Sequence, residues 1–268
     1  MWYIGQKGGF MARKILITSG KGGVGKTSVC AHLGYALSRL GQRVVCMDLD
    51  FGLNNLDLIM GVEDKVVYDV KDVLDGRCRV RQTIIPCTPT LSVIPSRHTL
   101  DKEVTGQNVK YLAEGLSTRF DYVLYDCPAG IDRGFHRGVC AADEVIVVVT
   151  PTLSSMRDGD KVISLLKSYR LKNVFCIVNR VRGDLVATGD EMDYKEIESI
   201  LKTPVIGVIP EDDGLLLCDG FNLHGGRAGR AFKMTAANLN GTGKKIYDAT
   251  AYYRGFYGSI RRNFRKKA

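Results

Sequence analysis

A glycine-rich segment near the start of the chain has the residue types and spacing of a phosphate-binding loop. It reads GKGGVGKT and fits the pattern G-x-x-x-x-G-K-[ST]. Glycines let backbone N–H groups curve around phosphate oxygens, the final lysine neutralises the β- and γ-phosphates, and the threonine hydroxyl ligates Mg²⁺. The residues predicted to bind a nucleotide here are Gly20, Lys21, Gly22, Gly23, Val24, Gly25, Lys26, Thr27 and Ser28.

Carboxylates stand where two apolar runs end. Asp48 and Asp50 follow one run, and Asp126 ends another. The carboxyl ends of parallel strands meet at one edge of a sheet, so these side chains are expected beside the phosphates. We predict that Thr27, Asp50 and Asp126 hold Mg²⁺ and that Asp50 orients or deprotonates the attacking water. Two solvated turn residues are the alternative for Asp48 and Asp50.

The elements that must position these groups follow from the hydropathy pattern. Apolar runs of strand length alternate with amphipathic stretches, and most runs are continuously apolar, as in strands covered on both faces. This alternation predicts an α/β fold with a mostly parallel, doubly wound sheet flanked by helices. The predicted strands are 14–18, 43–47, 91–94, 122–125, 144–149, 174–178 and 205–209. The predicted helices are 26–40, 106–120, 154–169 and 194–202.

The composition is that of a globular protein. Of 268 residues 45% are hydrophobic and 25% are charged, and no apolar run is long enough for a transmembrane helix. The eight cysteines show no C-x-x-C spacing, which favours reduced structural thiols.

We expect residues 1–11 to be an extension or a misplaced start, 12–243 to be the nucleotide-binding domain, and 244–268 to be a C-terminal helix with a basic amphipathic tail.

The net charge of +9 is concentrated at the C-terminus. Residues 251–268 carry six basic residues and no acid, which leaves +3 for the rest of the chain. On a helix, the apolar residues of this segment share one face and arginines cover much of the remainder, as in helices that lie on anionic membranes. A nucleic-acid arm and a solvated C-terminus are the alternatives. The predicted membrane residues are Tyr253, Phe256, Tyr257, Ile260, Arg261, Phe264 and Arg265.

A second lysine, Lys21, directly after the first glycine makes the loop a deviant P-loop, and the chain resembles the ParA/MinD group of P-loop ATPases. The segments DLDFGLNNLD at 48–57 and DCPAG at 126–130 are similar to motifs of MinD proteins. The resemblance covers residues 12–212 well and 213–268 loosely. It implies an ATP- and Mg²⁺-dependent homodimer in which Lys21 of each monomer reaches the phosphates of the other.

The same resemblance implies roles for further residues. Lys21, Lys26 and Asp50 are the expected catalytic residues of a slow ATPase that a partner stimulates. The adenine is expected between two loops that follow apolar strands, where an asparagine amide offers both a donor and an acceptor. A turn or helix-cap role is the alternative for that asparagine. The residues of these two loops are Asn179, Arg180, Pro210, Glu211 and Asp212.

The resemblance also implies partners. MinD proteins regulate placement of the division septum from the inner face of the cell membrane, which they reach from the cytoplasm when ATP-bound. A MinC-like inhibitor and a MinE- or DivIVA-like topological factor are the expected partners, with Asp158 and Asp160 as contacts or, equally, as first-turn acids of a helix. A flagellar-number regulator and a ParA-type DNA-partition ATPase are the alternatives. The body of the chain is only mildly basic, so no specific nucleic acid is expected.

Overall fold

A computed structural model of the protein describes residues 11–52, 55–97, 104–212, 215, 226–255 and 258. Within these residues, eight strands form one sheet in the order β3-β4-β2-β5-β1-β6-β7-β8. Every neighbouring pair is parallel except β3 and β4. The strands are β1 (Arg13–Thr18), β2 (Val44–Asp48), β3 (Ile85–Thr88), β4 (Leu91–Ile94), β5 (Tyr122–Asp126), β6 (Glu144–Val149), β7 (Asn173–Val181) and β8 (Val205–Pro210).

Helices connect the strands and cover both faces of the sheet. They are α1 (Lys26–Arg39), α2 (Leu56–Ile59), α3 (Val70–Leu74), α4 (Val80–Thr83), α5 (Gly106–Leu116), α6 (Arg133–Ala141), α7 (Leu153–Leu166), α8 (Gly183–Val186), α9 (Tyr194–Leu201) and α10 (Arg227–Leu239). The predicted fold class is confirmed. No helix among the described residues is both long and apolar enough to span a membrane.

The sheet separates two hydrophobic cores, because successive side chains of a strand point to opposite faces. On β1, Ile15 and Ile17 enter a core with α1 and α10. Leu16 enters the other core, which contains residues of α5, α6 and α7. Burial on both faces explains why the strands are continuously apolar. The strand order and parallel pairing place the carboxyl ends of β1, β2 and β5 side by side, at the edge that carries the predicted site.

The elements that the prediction missed within the described residues are β3, α2, α3, α4, α6, α8 and α10. The edge strand β3 is short, antiparallel and contains Pro86, which a central strand could not accommodate. The helix α6 contains Gly134 and Gly138, which lower helix propensity but sit in tight contacts. A Cβ on Gly138 would lie 2.5 Å from a methyl carbon of Leu16. The helix α10 follows the last predicted strand, 205–209, and so was not identified by its place between two strands.

The predicted boundary at Gly243 does not coincide with the end of the folded domain. Ile246 and Ala249 pack against one core and Tyr247 against the other. Residues 244–250 form no helix, and Ala251–Tyr253 form a single 3-10 turn in which Tyr253 is buried. The domain therefore extends at least to Tyr253, and the predicted C-terminal helix does not begin at 244.

Candidate nucleotide-binding site

The loop between β1 and α1 has the backbone that phosphate binding requires. Gly23 and Gly25 have φ values of +77° and +89°, in the left-handed region that favours glycine. Gly25 precedes α1 and supplies no capping side chain, so the N–H groups of the first turn are available to an anion. The Ser19 hydroxyl donates to the Lys21 carbonyl at 2.7 Å, which closes the start of the loop.

Asp126 at the end of β5 fits a role in magnesium binding. It is 1% exposed, and its Oδ1 has no hydrogen-bond partner among the described residues. Burial raises the pKa of Asp126 to about 7, although the Thr27 hydroxyl and the Lys26 charge oppose the shift. A cation would relieve this desolvation. No group of three His, Cys, Asp or Glu side chains in the described ranges could hold a metal ion.

Asp48 is a site residue that the sequence analysis left without a role. It pairs in register with Asp126 on the neighbouring strand, and it is 1% exposed. Burial, followed by the charge of Asp126, raises its pKa well above the ordinary value. Its Oδ1 accepts from the Asp50 amide at 2.8 Å, so Asp48 fixes the turn that carries Asp50. The interpretation as a solvated turn residue is therefore wrong for Asp48.

Asp50 and the two loop lysines occupy different environments. Asp50 is partly exposed, and its Oδ1 accepts from the Gly52 amide at 3.2 Å. Lys26 is buried at the start of α1, close enough to Asp126 to affect its pKa. Lys21 is exposed, and its Nζ donates to the Ser154 hydroxyl at the start of α7 over 3.4 Å. The buried lysine is thus inside the site, and the exposed lysine lies on the outer surface of the loop.

Asn179 contacts the phosphate loop directly. Its amide nitrogen donates to the Val24 carbonyl at 2.8 Å, and the side chain is buried. A Cβ on Gly25 would lie 2.6 Å from that nitrogen, so the contact requires glycine. The amide oxygen is the atom that could accept from an adenine amino group. The neighbouring Arg180 is exposed and adopts φ +57°, the left-handed region.

The other predicted base-binding loop follows β8. Pro210 is buried at the strand end, and the Glu211 amide donates to the Val181 carbonyl at 3.0 Å. The Asp212 carboxylate accepts from the Ala228 amide at 3.1 Å and so caps the first turn of α10. Asp212 therefore has a structural role in this loop that the sequence did not indicate.

The predicted partner residues lie on α7. Asp158 is paired with Lys161 at 3.1 Å, and Asp160 is exposed. Because α7 begins at Leu153, both acids lie beyond its first turn, so the first-turn alternative is wrong. Leu153 itself is 81% exposed.

Of the predicted membrane residues, only Tyr253 lies within the described residues. It is 3% exposed, and its phenol oxygen accepts from Arg227 Nη1 at 2.8 Å. Tyr253 therefore belongs to the folded domain and not to the face predicted to meet a membrane. The remaining predicted membrane residues, which lie outside the described part of the chain, are Phe256, Tyr257, Ile260, Arg261, Phe264 and Arg265.

Comparison with known proteins gives consistent results. Residues 15–222 match the CobQ/CobB/MinD/ParA nucleotide-binding domain family. The septum site-determining protein MinD of Bacillus subtilis is 42% identical over 211 residues, which cover 77% of this chain and 79% of the relative. MinD in the MinC:MinD cell division protein complex of Aquifex aeolicus has a TM-score of 0.80 and 36% identity, covering 87% of this chain and 98% of that one.

A third similar protein was solved with a ligand. It is the septum site-determining protein MinD complexed with Mg-ADP from Pyrococcus horikoshii, with a TM-score of 0.73 and 28% identity, covering 86% of this chain and 96% of that one. The bound Mg-ADP is a property of that protein.

Proposed function

Because the chain belongs to the MinD/ParA family of nucleotide-binding proteins, with MinD proteins among its relatives, we propose that it is an ATP-dependent membrane switch that regulates placement of the division septum. In the cytoplasm it binds ATP and Mg²⁺, dimerises and attaches to the inner face of the cell membrane. There it recruits a MinC-like inhibitor, and hydrolysis to ADP and phosphate releases it. A MinE- or DivIVA-like factor sets where this happens.

One observation carries the nucleotide part of the proposal. The buried Asp126 carboxylate has an oxygen without a hydrogen-bond partner among the described residues, and it lies beside Thr27 and Lys26 at the mouth of a glycine loop. Such a carboxylate is expensive to bury alone and suits a site completed by Mg²⁺ and phosphates. The ion supplies charge neutralisation when bound. The Thr27 hydroxyl and the Asp126 carboxylate would hold the ion.

The chain's own groups divide the work of hydrolysis. Lys26 and the first-turn N–H groups of α1 bind the phosphates. Asp50, held by the Asp48 carboxylate through its amide, orients the attacking water. Lys21 is exposed on the outer surface of the loop, where it can reach the phosphates of a second copy. Hydrolysis would therefore require the dimer, and intrinsic turnover in the monomer would be slow.

The attachment to membrane rests on the basic tail. Its apolar and basic residues beyond Tyr253 have the composition of an interfacial helix. One short tail binds weakly, because the conformational entropy lost on ordering it offsets most of the free energy that its side chains gain at the membrane. When one tail of a dimer is bound, the other tail is held near the membrane at a high effective concentration, which strengthens attachment. ATP can thus control attachment through dimerisation, with no contact between ATP and the tail.

Co-sedimentation tests the proposal. The full chain is mixed with anionic vesicles in the presence of Mg-ATP or Mg-ADP, and with duplex DNA as a parallel bait. We expect pelleting with vesicles in ATP, much less in ADP, and none with DNA. ATP-dependent binding to DNA without binding to vesicles would replace the proposal with a partition-type function.

A further inference from the structure

Arg227 in the first turn of α10 joins two segments that are distant in sequence. Its Nη1 donates to the phenol oxygen of Tyr253 at 2.8 Å, and its Nη2 donates to the carbonyl oxygen of Glu211 at 3.4 Å. Its guanidinium carbon also lies 5.4 Å from the ring centroid of Tyr252. Glu211 belongs to the loop after β8. Tyr253 belongs to residues 246–254, which we call the tail root because the basic tail continues from them.

The tail root is packed closely against the domain. A Cβ on Gly183, just after β7, would lie 1.9 Å from the Ala249 carbonyl oxygen and 3.2 Å from a ring carbon of Tyr253. Tyr253 is 3% exposed. A buried phenol needs a hydrogen-bond partner, and Arg227 supplies one. Removing the hydroxyl therefore weakens the docking of the tail root while leaving the ring in place.

The loop after β8 is held by the same helix turn. The Asp212 carboxylate accepts from the Ala228 amide at 3.1 Å, one residue beyond Arg227. On its other side, the Glu211 amide donates to the Val181 carbonyl at 3.0 Å. The first turn of α10 therefore contacts Glu211 and Asp212 of this loop and, through Arg227, Tyr253 of the tail root.

We propose that Arg227 is a positioning residue that couples nucleotide binding in the loop after β8 to docking of the tail root. The inference rests on the proposed function, since it takes this loop to contact the base. Coupling between two binding events is reciprocal. Bound nucleotide stabilises the docked root, and a docked root increases nucleotide affinity. The membrane tail then extends from a fixed point on the nucleotide-bound protein.

The first test compares affinities for a fluorescent ADP analogue with Mg²⁺ in the full chain. Tyr253→Phe removes the phenol oxygen only, and we expect it to weaken binding about two- to tenfold, since only part of the free energy of this charge-assisted hydrogen bond is coupled to the nucleotide. Arg227→Lys keeps the positive charge but has fewer hydrogen-bond donors. Its affinity for the analogue should lie between those of wild type and Arg227→Ala. Tyr111→Phe on α5, where Tyr111 is 66% exposed, is the matched control and should bind as wild type does.

The second test measures the reverse direction by hydrogen exchange. Mg-ADP should slow amide exchange of residues 246–253 more than that of α5 in the wild type, and this difference should vanish in Tyr253→Phe. A Tyr253→Phe protein with wild-type affinity and an unchanged exchange difference would overturn the inference while the proposed function stands. A wild-type chain that binds no ADP would instead refute the proposed function, and the coupling with it.

Discussion

Asp48 and Asp126 occupy paired positions on the neighbouring strands β2 and β5, and both carboxylates are buried. Burial raises the pKa of each, and the charge of Asp126 adds to the shift at Asp48. Two buried carboxylates side by side destabilise the free protein. Asp48 accepts a hydrogen bond from the Asp50 amide and so also supports the turn, whereas Asp126 Oδ1 has no partner among the described residues, and its burial is explained by binding.

Replacing one of these carboxylates should separate stability from activity. We expect Asp126→Asn to raise the melting temperature of the nucleotide-free protein, because an ionisable group is no longer buried. The same change should lower ATPase activity about 10- to 100-fold, the usual effect of losing an outer ligand of a metal site. Calorimetry and a phosphate-release assay measure the two effects. Asp121→Asn, at a surface ion pair with Arg43, is the control. A variant that is destabilised and fully active would contradict the prediction.

Lys21 should matter for turnover but not for binding by a single chain. Lys21→Ala is expected to lower ATPase activity about a thousandfold, in the range known for cationic groups supplied in trans. Its affinity for ADP should stay close to that of wild type, since Lys21 is exposed and contacts Ser154. Lys110→Ala on α5 is the control in both assays. Full ATPase activity in Lys21→Ala would rule out the trans-lysine mechanism.

Two truncations should distinguish the domain from the tail. A chain ending at Gly255 keeps Tyr253 and should remain as stable as wild type, yet lose vesicle binding in ATP. A chain ending at Ala251 also loses Tyr253, whose burial contributes about 1.5–3 kcal/mol. Its melting temperature should fall by about 2–4 °C for each kcal/mol lost. Vesicle binding by the chain that ends at Gly255 would show that the tail is not the membrane anchor.

Glu191 should make stability depend on pH. Burial raises its pKa to about 7, although the hydrogen bond from the Arg182 amide and the charge of Arg182 oppose the shift. The folded state then binds more protons than the unfolded state between about pH 4.5 and 7, so stability falls as pH rises through this window.

We expect Glu191→Gln to remove the fall in stability through this pH window and to be more stable than wild type at pH 8. Urea unfolding at several pH values measures the free energy of unfolding of both proteins. The control is Glu114→Gln on α5. An identical pH slope in wild type and Glu191→Gln would show that Glu191 does not titrate as described.

The sequence predicted the central strands and the glycine loop that form the site, and particular residues show why. The run 144–149, which is apolar from Val145 onward, identified a central strand, since burial on both faces favours apolar residues at successive positions. The loop from Gly20 to Thr27 was predictable because phosphate binding restricts the residue type at four of the eight positions of the pattern, at a fixed spacing. The edge strand β3 was missed because an edge strand tolerates Pro86 and partial exposure.

What the sequence did not predict depends on partners that are distant along the chain. Asn179 was predicted as a base-binding residue, but its amide nitrogen is bonded to Val24, 155 residues away in sequence. Tyr253 matched the apolar face of a tail helix, but it is buried beside Gly183 and bonded to Arg227, both distant in sequence. Asp48 stood in the recognised motif, yet its pairing with Asp126 needs the strand order. Local patterns contain none of these relationships.

The packing of Gly20 changes what a glycine signature can be taken to mean. A Cβ at this position would lie 2.2 Å from the carbonyl oxygen of Asp158 on α7, so any larger residue would force the loop and the helix apart. Glycine is needed here for packing, whether or not a phosphate is bound. A relative that had lost nucleotide binding would still require it. The first glycine of the motif is therefore weak evidence of activity in such a relative, and Lys26 with Asp126 is the more informative pair.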